Sequence, residues 1–323
     1  MSLLAMSAMS FPEWSPALFQ IDLGFLGLGK FPVRWYALGY IAGLLIAWRY
    51  ALALIERPKM WGGEAPTTRE GIDDLLFWAT LGVILGGRLG YLFFYDLPNN
   101  FGQFQDDPMR ALRIWQGGMS FHGGMIGVAL AITHVSRKYK LPLRSIADIG
   151  GVAAGFGVFF VRIANFVNAE LYGRPVAEGH ESWGMIFPEG RAVPPSTPPS
   201  YNWETGEWVY CSETLRCDPE VARYPSQIYE AVLEGLIPVI ITSLLVWRFK
   251  ALQRPGLIGG LFLLMYGVGR TIAEQFREPD SFVTWLPDWI TMGQLLSIPM
   301  WIGGLYLAWT ALSRERVGVT QGA

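Results

Sequence analysis

Seven predominantly apolar stretches recur along the chain, at 35–55, 74–97, 118–136, 146–168, 226–247, 257–275 and 291–312. Each is close to the roughly 20 residues a helix needs to cross the hydrocarbon layer of a bilayer. The pattern predicts an all-α polytopic membrane protein with seven transmembrane helices. The segment 169–225 breaks it. Pro194, Pro195, Pro198 and Pro199 interrupt any helix there, because proline lacks the backbone donor and clashes with the preceding turn. This segment reads as a small extramembrane insert between spans four and five, with short strands around EWVYCSET (207–214). No internal repeat is evident. The organisation is therefore 1–168 with four helices, 169–225 as the insert, and 226–323 with three helices and a tail, all one membrane domain. The stretch 17–29 is apolar but short and contains Asp22. It is expected to be an interfacial or re-entrant piece rather than a span.

Composition agrees. The 323 residues are 51% hydrophobic and only 16% charged, against about 25% charged in ordinary soluble domains. The mean hydropathy is +0.28. A net charge of −2 leaves no global basic field for nucleic acid. Lys30 is the first basic residue, so no secretory signal is expected. Orientation follows from the loops. Segments 49–73, 137–145, 248–256 and 313–323 hold 13 of the 25 Lys and Arg in 54 residues, while 1–34, 98–117, 169–225 and 276–290 hold 9 in 126. The denser side is expected to be cytoplasmic. The N-terminus and the insert then face outward, and the C-terminus faces the cytoplasm.

Ionisable groups at membrane depth are costly and are functional candidates. Here they are Arg88, His122, Arg162, Glu230, Glu234, Arg270 and Glu274. The orientation above puts Arg88 just outward of the middle and the other six near the outer ends of their spans. Tyr266, Arg270, Glu274 and Arg277 share one helix face, as do Arg162 and Asn165. Three arginines against three glutamates suit a buried ion-pair network. They also suit a phosphate headgroup, which arginine binds bidentately. Taken singly, Arg270–Glu274 reads better as a structural pair, and Glu230 and Glu234 can be explained as partners of Arg88 or Arg162. The force of the pattern lies in seven such groups at one depth. Most tryptophans read as interfacial anchors.

Phosphate-binding loops, dinucleotide fingerprints, HExxH and GxSxG are absent. The three histidines do not share a depth, so neither a metal nor a cofactor is expected. Cys211 and Cys217 lie in the insert. An oxidising compartment permits a disulfide between them, worth roughly 2 kcal/mol for so short a loop; two free thiols are the other reading.

Five motifs then carry a resemblance: GGRLGYLFFYD (86–96), QGGMSFHGG (116–124), RIANFVNAELYGRP (162–175), YPSQIYEA (224–231) and YGVGRTIAEQFREPD (266–280). Together, and in this order, the chain resembles the bacterial prolipoprotein diacylglyceryl transferases from FPEWSPALF (11–19) to the last span. One departure is Tyr224, where many members have His. The resemblance implies a multi-pass enzyme of the bacterial inner membrane with its site toward the periplasmic leaflet. It would transfer the diacylglyceryl group of phosphatidylglycerol to the lipobox cysteine of a preprolipoprotein signal peptide, giving a thioether and glycerol phosphate. The family's important positions fall on Tyr36, His122, Arg162, Asn165, Glu170, Gly173, Tyr266, Arg270 and Glu274.

These residue types fit that chemistry. A thiol of pKa near 8.5 needs a base or a positive field before it attacks. His122 is the candidate base, with Glu274 and Glu170 as rivals. Arg162 and Arg270 are expected to hold the phosphate, and Tyr36 to orient the headgroup. Arg88, Asn165, Glu170, Gly173, Tyr266 and Gly123 are the expected substrate-binding positions. Because the donor is a lipid, the cluster is expected in a cavity open sideways to the bilayer. A transporter of an anionic solute and a passive lipid-binding scaffold are the competing readings.

Overall fold

The computed structural model describes residues 8–12, 14–22, 24, 30–97, 104–113, 118–177, 179–187, 201–202, 207–208, 222–278 and 290–317. Seven long helices occupy the seven apolar stretches. They are α1 (Trp35–Ile55), α2 (Arg69–Tyr91), α3 (Phe121–Lys138), α4 (Leu143–Val167), α5 (Ser226–Phe249), α6 (Leu257–Ala273) and α7 (Met292–Leu312). Four of them, α1, α4, α5 and α7, are long and apolar enough to cross a membrane, and α6 is a shorter apolar helix. The helix α2 begins five residues ahead of the apolar stretch because its first turns are charged, with Arg69, Glu70, Asp73 and Asp74. It continues past Tyr91 into a wide π turn at Leu92–Asp96. A second wide turn, Ala231–Leu236, lies inside α5; such turns recur at functional positions.

The described residues fall into two compact units. The first comprises Met1–Ala47, Ala154–Leu244 and Gly260–Leu307, and the second Trp48–Ala153, Leu245–Gly259 and Ala308–Ala323.

In the first unit, β1 (Met9–Ser10) pairs in parallel with β4 (Met185–Ile186), while β2 (Ala17–Asp22) and β3 (Lys30–Arg34) form an antiparallel pair. The described part of 17–29 is thus a strand, whose side chains Leu18, Phe19 and Ile21 are exposed. A strand places successive side chains on opposite faces, so this apolar run has no single face to bury as a helix would. A second short pair, β5 (Tyr201–Asn202) with β6 (Glu207–Trp208), overlaps the predicted strand segment. The rest of that segment, with Cys211 and Cys217, lies outside the described residues. Phe11, Ala169, Met185 and Phe187 form a small core with Phe166 and Tyr172 packed on it. The Tyr172 and Phe187 rings stack at 4.9 Å.

The second unit holds a conventional apolar core that includes Leu52, Leu54, Val135, Ile146, Ile149, Leu252 and Ile258. Its helices α2 and α3 meet along glycines. A Cβ at Gly90 would sit 2.8 Å from the Cα of Gly123, and one at Gly123 would run into the Gly86 carbonyl. Small residues at such spacing let two backbones touch, the usual device for packing helices in a membrane. The N-terminus of α6 is held from α4: the Asp148 carboxylate, fully buried, accepts the amides of Gly256 and Gly259 at 2.8 Å each.

Candidate functional site

The site grows from three helices of the first unit. Arg162 stands in the last turns of α4, Glu230 and Glu234 lie one turn apart on α5, and Tyr266 and Arg270 lie on α6, with Glu274 and Arg277 just beyond its end. Their spacing of three and four residues lines each set along one face. The three faces bring their charges together. Arg162 places Nη1 3.1 Å from Glu230 Oε2 and donates from Nη2 to Glu234 Oε2 at 3.3 Å. Arg270 donates from Nη1 to Glu230 Oε1 at 2.8 Å, and its Nη2 pairs with Glu274. Arg277 reaches Glu274 at 3.6 Å and Glu230 at 3.9 Å. The Glu230 and Glu234 side chains are fully buried, while those of Arg162, Arg270 and Arg277 are 14, 11 and 17% exposed.

The six groups balance in charge. Removing charges from water costs several kcal/mol per ion, and a closed set of opposite partners offsets that cost. Glu230 sits at the centre, within reach of all three guanidinium groups. Of the two partners expected for Glu230 and Glu234, Arg88 or Arg162, the structure gives Arg162, and Arg270 and Arg277 join it. Arg162 and Arg270 are not idle anion holders: each guanidinium is already engaged with carboxylates.

Below Arg162, Asn165 is buried. Its amide is oriented to donate to Glu170 Oε1 and to the Val161 carbonyl, each at 3.2 Å. The chain then turns sharply. Ala169 and Leu171 adopt positive φ, 46° and 57°, a region costly for residues with a Cβ. Gln227 holds the turn by donating to the Glu170 carbonyl at 2.7 Å, and Ser226 donates to the Leu171 carbonyl at 3.0 Å. Neither had a role assigned from sequence. Their only signal was membership of the YPSQ motif.

Gly173 follows. Its amide donates to the Tyr224 carbonyl at 2.8 Å, and it bridges to Arg277 across an antiparallel contact. A Cβ there would lie 2.8 Å from the Tyr224 carbonyl oxygen and press on that of Phe276. Only glycine lets these three strands of chain converge beside Arg277. Tyr224 and Tyr229 both pack edge-on against Phe276, with centroids at 5.2 and 5.1 Å. Tyr266 is buried, one turn before Arg270, and Tyr36 shares a 3.3 Å hydroxyl contact with Tyr40 on α1.

Arg88, His122 and Gly123 belong to the second unit. Arg88 is buried and donates to the carbonyls of Ala111 and Gly118 at 2.9 and 3.0 Å. It thereby pins the stretch before α3 onto α2. His122 lies in the first turn of α3, which Ser120 caps by accepting the Gly123 amide at 3.3 Å. Gly123 is accounted for by the α2–α3 contact. No group of metal-ligating side chains is found among the described residues.

Apolar helices of membrane-crossing length and a buried arginine–glutamate network define a class: a multi-pass membrane protein with a charged centre buried among its helices. The family described as prolipoprotein diacylglyceryl transferase matches residues 24–310. The chain is 39% identical over 313 residues to the phosphatidylglycerol–prolipoprotein diacylglyceryl transferase of Rhizobium meliloti (strain 1021), covering 96% of this chain and 95% of that one. It is 42% identical over 289 residues to the protein of the same name from Nitrobacter hamburgensis, at 90% and 88% coverage. The match to that of Phenylobacterium zucineum is 41% over 308 residues, at 95% and 96%. The chain belongs to the prolipoprotein diacylglyceryl transferase family.

Proposed function

We propose that this chain transfers the diacylglyceryl group of phosphatidylglycerol to the lipobox cysteine of a preprolipoprotein, from a site facing the periplasmic leaflet of the bacterial inner membrane. The observation that carries the reading is the Arg162–Glu230–Glu234–Arg270–Glu274–Arg277 network, within a family whose relatives are named for this activity. In the reaction the thiol loses its proton and sulfur attacks the glyceryl carbon. The carbon–oxygen bond to phosphorus breaks, and glycerol phosphate leaves with the bonding pair and one further negative charge. Arg162 and Arg270 are the groups to stabilise that charge as it develops. Tyr36, Tyr266, Asn165 and Glu170 orient the headgroup, and Gly173 lets backbone approach it. Arg88 holds the segment leading to His122. His122 is the group to take the thiol proton, with Glu274 and Glu170 as its rivals. The chain acts without a metal or other cofactor, on phosphatidylglycerol and the signal peptide of its acceptor.

Seven spans, with the N-terminus and the 169–225 insert outside and the C-terminus inside, put this network at the depth of the outer headgroups, in a cavity open laterally to lipid. Lateral entry is favoured because drawing acyl tails into water costs about 0.8 kcal/mol per CH₂. A reporter fused after residue 323 is expected to be active only in the cytoplasm, and one inserted near residue 205 only outside; the reverse pattern refutes the orientation. The activity is tested by incubating the purified chain with phosphatidylglycerol and a lipobox peptide. The peptide is expected to gain the mass of one diacylglyceryl group on its cysteine. An unmodified peptide, from folded protein that binds the lipid, rules the transferase reading out.

A further inference from the structure

We infer that the basic end of α3 carries a headgroup site for an anionic glycerophospholipid, built from residues outside the arginine–glutamate network. A groove of about 580 Å³ is lined by Leu130, Thr133, His134, Arg137 and Lys138. Ile126, Leu130, His134 and Arg137 follow at spacings of four, four and three, so they stand in one line along the helix. The line changes character along its length. Ile126 and Leu130 are apolar and 53 and 65% exposed; His134 and Arg137 are polar and exposed. At 1.5 Å per residue the step from Leu130 to Arg137 is about 10 Å. An apolar track ending in cations over that distance has the polarity profile of a phospholipid lying along the helix.

The helix α2 packs beside the polar end. Trp78 packs on His134 with centroids 4.6 Å apart. Asp74 pairs with Lys138 and accepts the Tyr139 hydroxyl at 2.8 Å. Asp74 thus offsets Lys138, whereas no carboxylate among the described residues pairs with Arg137. Nor is Arg137 drawn into capping. The chain leaves α3 through Lys140 at positive φ, and the Leu141 amide donates to the Ser136 carbonyl at 2.8 Å. Among the residues that line the groove, Arg137 is thus the cation without a carboxylate partner, beside an exposed imidazole, and it complements the single negative charge of a phosphodiester. The exposed Ile126–Leu130 track selects an anion that arrives with acyl chains over a free phosphate. The inference rests on the seven-span reading, which puts α2 and α3 in the bilayer and this end at the cytoplasmic leaflet.

The test uses the full chain in phosphatidylcholine nanodiscs with a trace of phosphatidylserine bearing a photoreactive acyl chain, followed by peptide mapping. Phosphatidylserine has the phosphodiester and net negative charge but lacks the glycerol headgroup of the proposed donor. Strong labelling of residues 126–138 is expected. It should fall about fivefold in Arg137→Gln, the worth of one basic side chain at an anionic surface, with turnover of phosphatidylglycerol unchanged. A photoreactive phosphatidylcholine should label the segment weakly and without dependence on Arg137. Equal labelling by both probes, indifferent to Arg137, would reduce the groove to ordinary lipid contact and overturn the site alone. Displacement by inorganic phosphate would make it a free-anion site and overturn the lipid assignment. Absence of labelling by either probe would remove α3 from lipid and overturn the span reading together with the site.

Discussion

Glu230→Gln isolates the balance of charge on which the network depends. Glu230 is fully buried and faces Arg270 at 2.8 Å, Arg162 at 3.1 Å and Arg277 at 3.9 Å. Glutamine keeps the shape but removes the charge, leaving three guanidinium groups against Glu234 and Glu274. Breaking a buried ion pair by removing one partner costs about 3–5 kcal/mol, because the surviving charge stays buried and uncompensated. For a chain of this length that corresponds to a fall of about 4–8 °C in unfolding midpoint. The assay is thermal unfolding of the detergent-solubilised full chain, run on the wild type, Glu230→Gln, Arg277→Gln and the double variant. The double variant restores two cations against two carboxylates. It should therefore lose less than the sum of the single losses, with a coupling of about 0.5–3 kcal/mol. Independent, additive losses, or a Glu230→Gln midpoint within a degree of wild type, would refute the closed network.

Arg162→Lys keeps the charge but loses the planar fork, so it should remove most transferase activity; near wild-type turnover rules out a bidentate role. His122→Gln should slow turnover about 100-fold while phosphatidylglycerol still binds, and recover partly near pH 9, where the thiol ionises unaided; a lipid-binding variant that does not recover shifts the proton to a glutamate. Gly173→Ala should destabilise by about 1–3 kcal/mol through overpacking, since its new methyl would sit 2.8 Å from the Tyr224 carbonyl; an unchanged unfolding midpoint removes that explanation. Glu181 accepts the Gly179 amide at 2.8 Å, which holds its carboxyl below the ordinary glutamate range. The bond is therefore complete above the ordinary value and lost as pH falls through the depressed one; a Gly179 amide resonance titrating at or above the ordinary glutamate value contradicts it.

The seven helices were legible because each coincides with a local property, a run of predominantly apolar residues; four of those runs are long and apolar enough to cross a membrane. The ends were less so. α2 starts at Arg69, where charge hides the helix from a hydropathy reading, and α3 waits for its Ser120 cap. The strand at Ala17–Asp22 was read only as an interfacial segment, because its pairing with Lys30–Arg34 depends on residues a turn away. At the site, common depth and helical spacing brought out Arg162, Arg270, Glu274, Glu230 and Glu234. What spacing cannot express is a partner's orientation. That Glu230 and not Glu274 is the centre depends on where α4 meets α5. The roles of Ser226 and Gln227 exist only because Ala169 and Leu171 turn left-handed. Gly123 shows what spacing leaves out: beside a candidate base it reads as a binding position, and the structure adds that it is also where α3 touches Gly86 and Gly90 of α2.

The two units are stabilised by different means, and the difference bears on the chemistry. In the second unit the largest fully buried side chains include Leu52, Leu54, Ile146, Ile149, Leu252 and Ile258, whereas in the first Gln227, Glu230 and Glu234 are among them. Among lipid tails an apolar helix gains little by leaving them for another helix, so packing and polar links carry association. A neutral network links α4, α5 and α6 without a free charge in hydrocarbon. It also meets the phosphodiester on particular terms. On the proposed reading, a phosphate entering at Arg270 or Arg162 has to compete with the carboxylates these side chains already hold. Under the proposed reaction, that competition is what turns a guanidinium toward the leaving phosphate. The pH response of His122→Gln decides whether that side chain or a glutamate takes the proton.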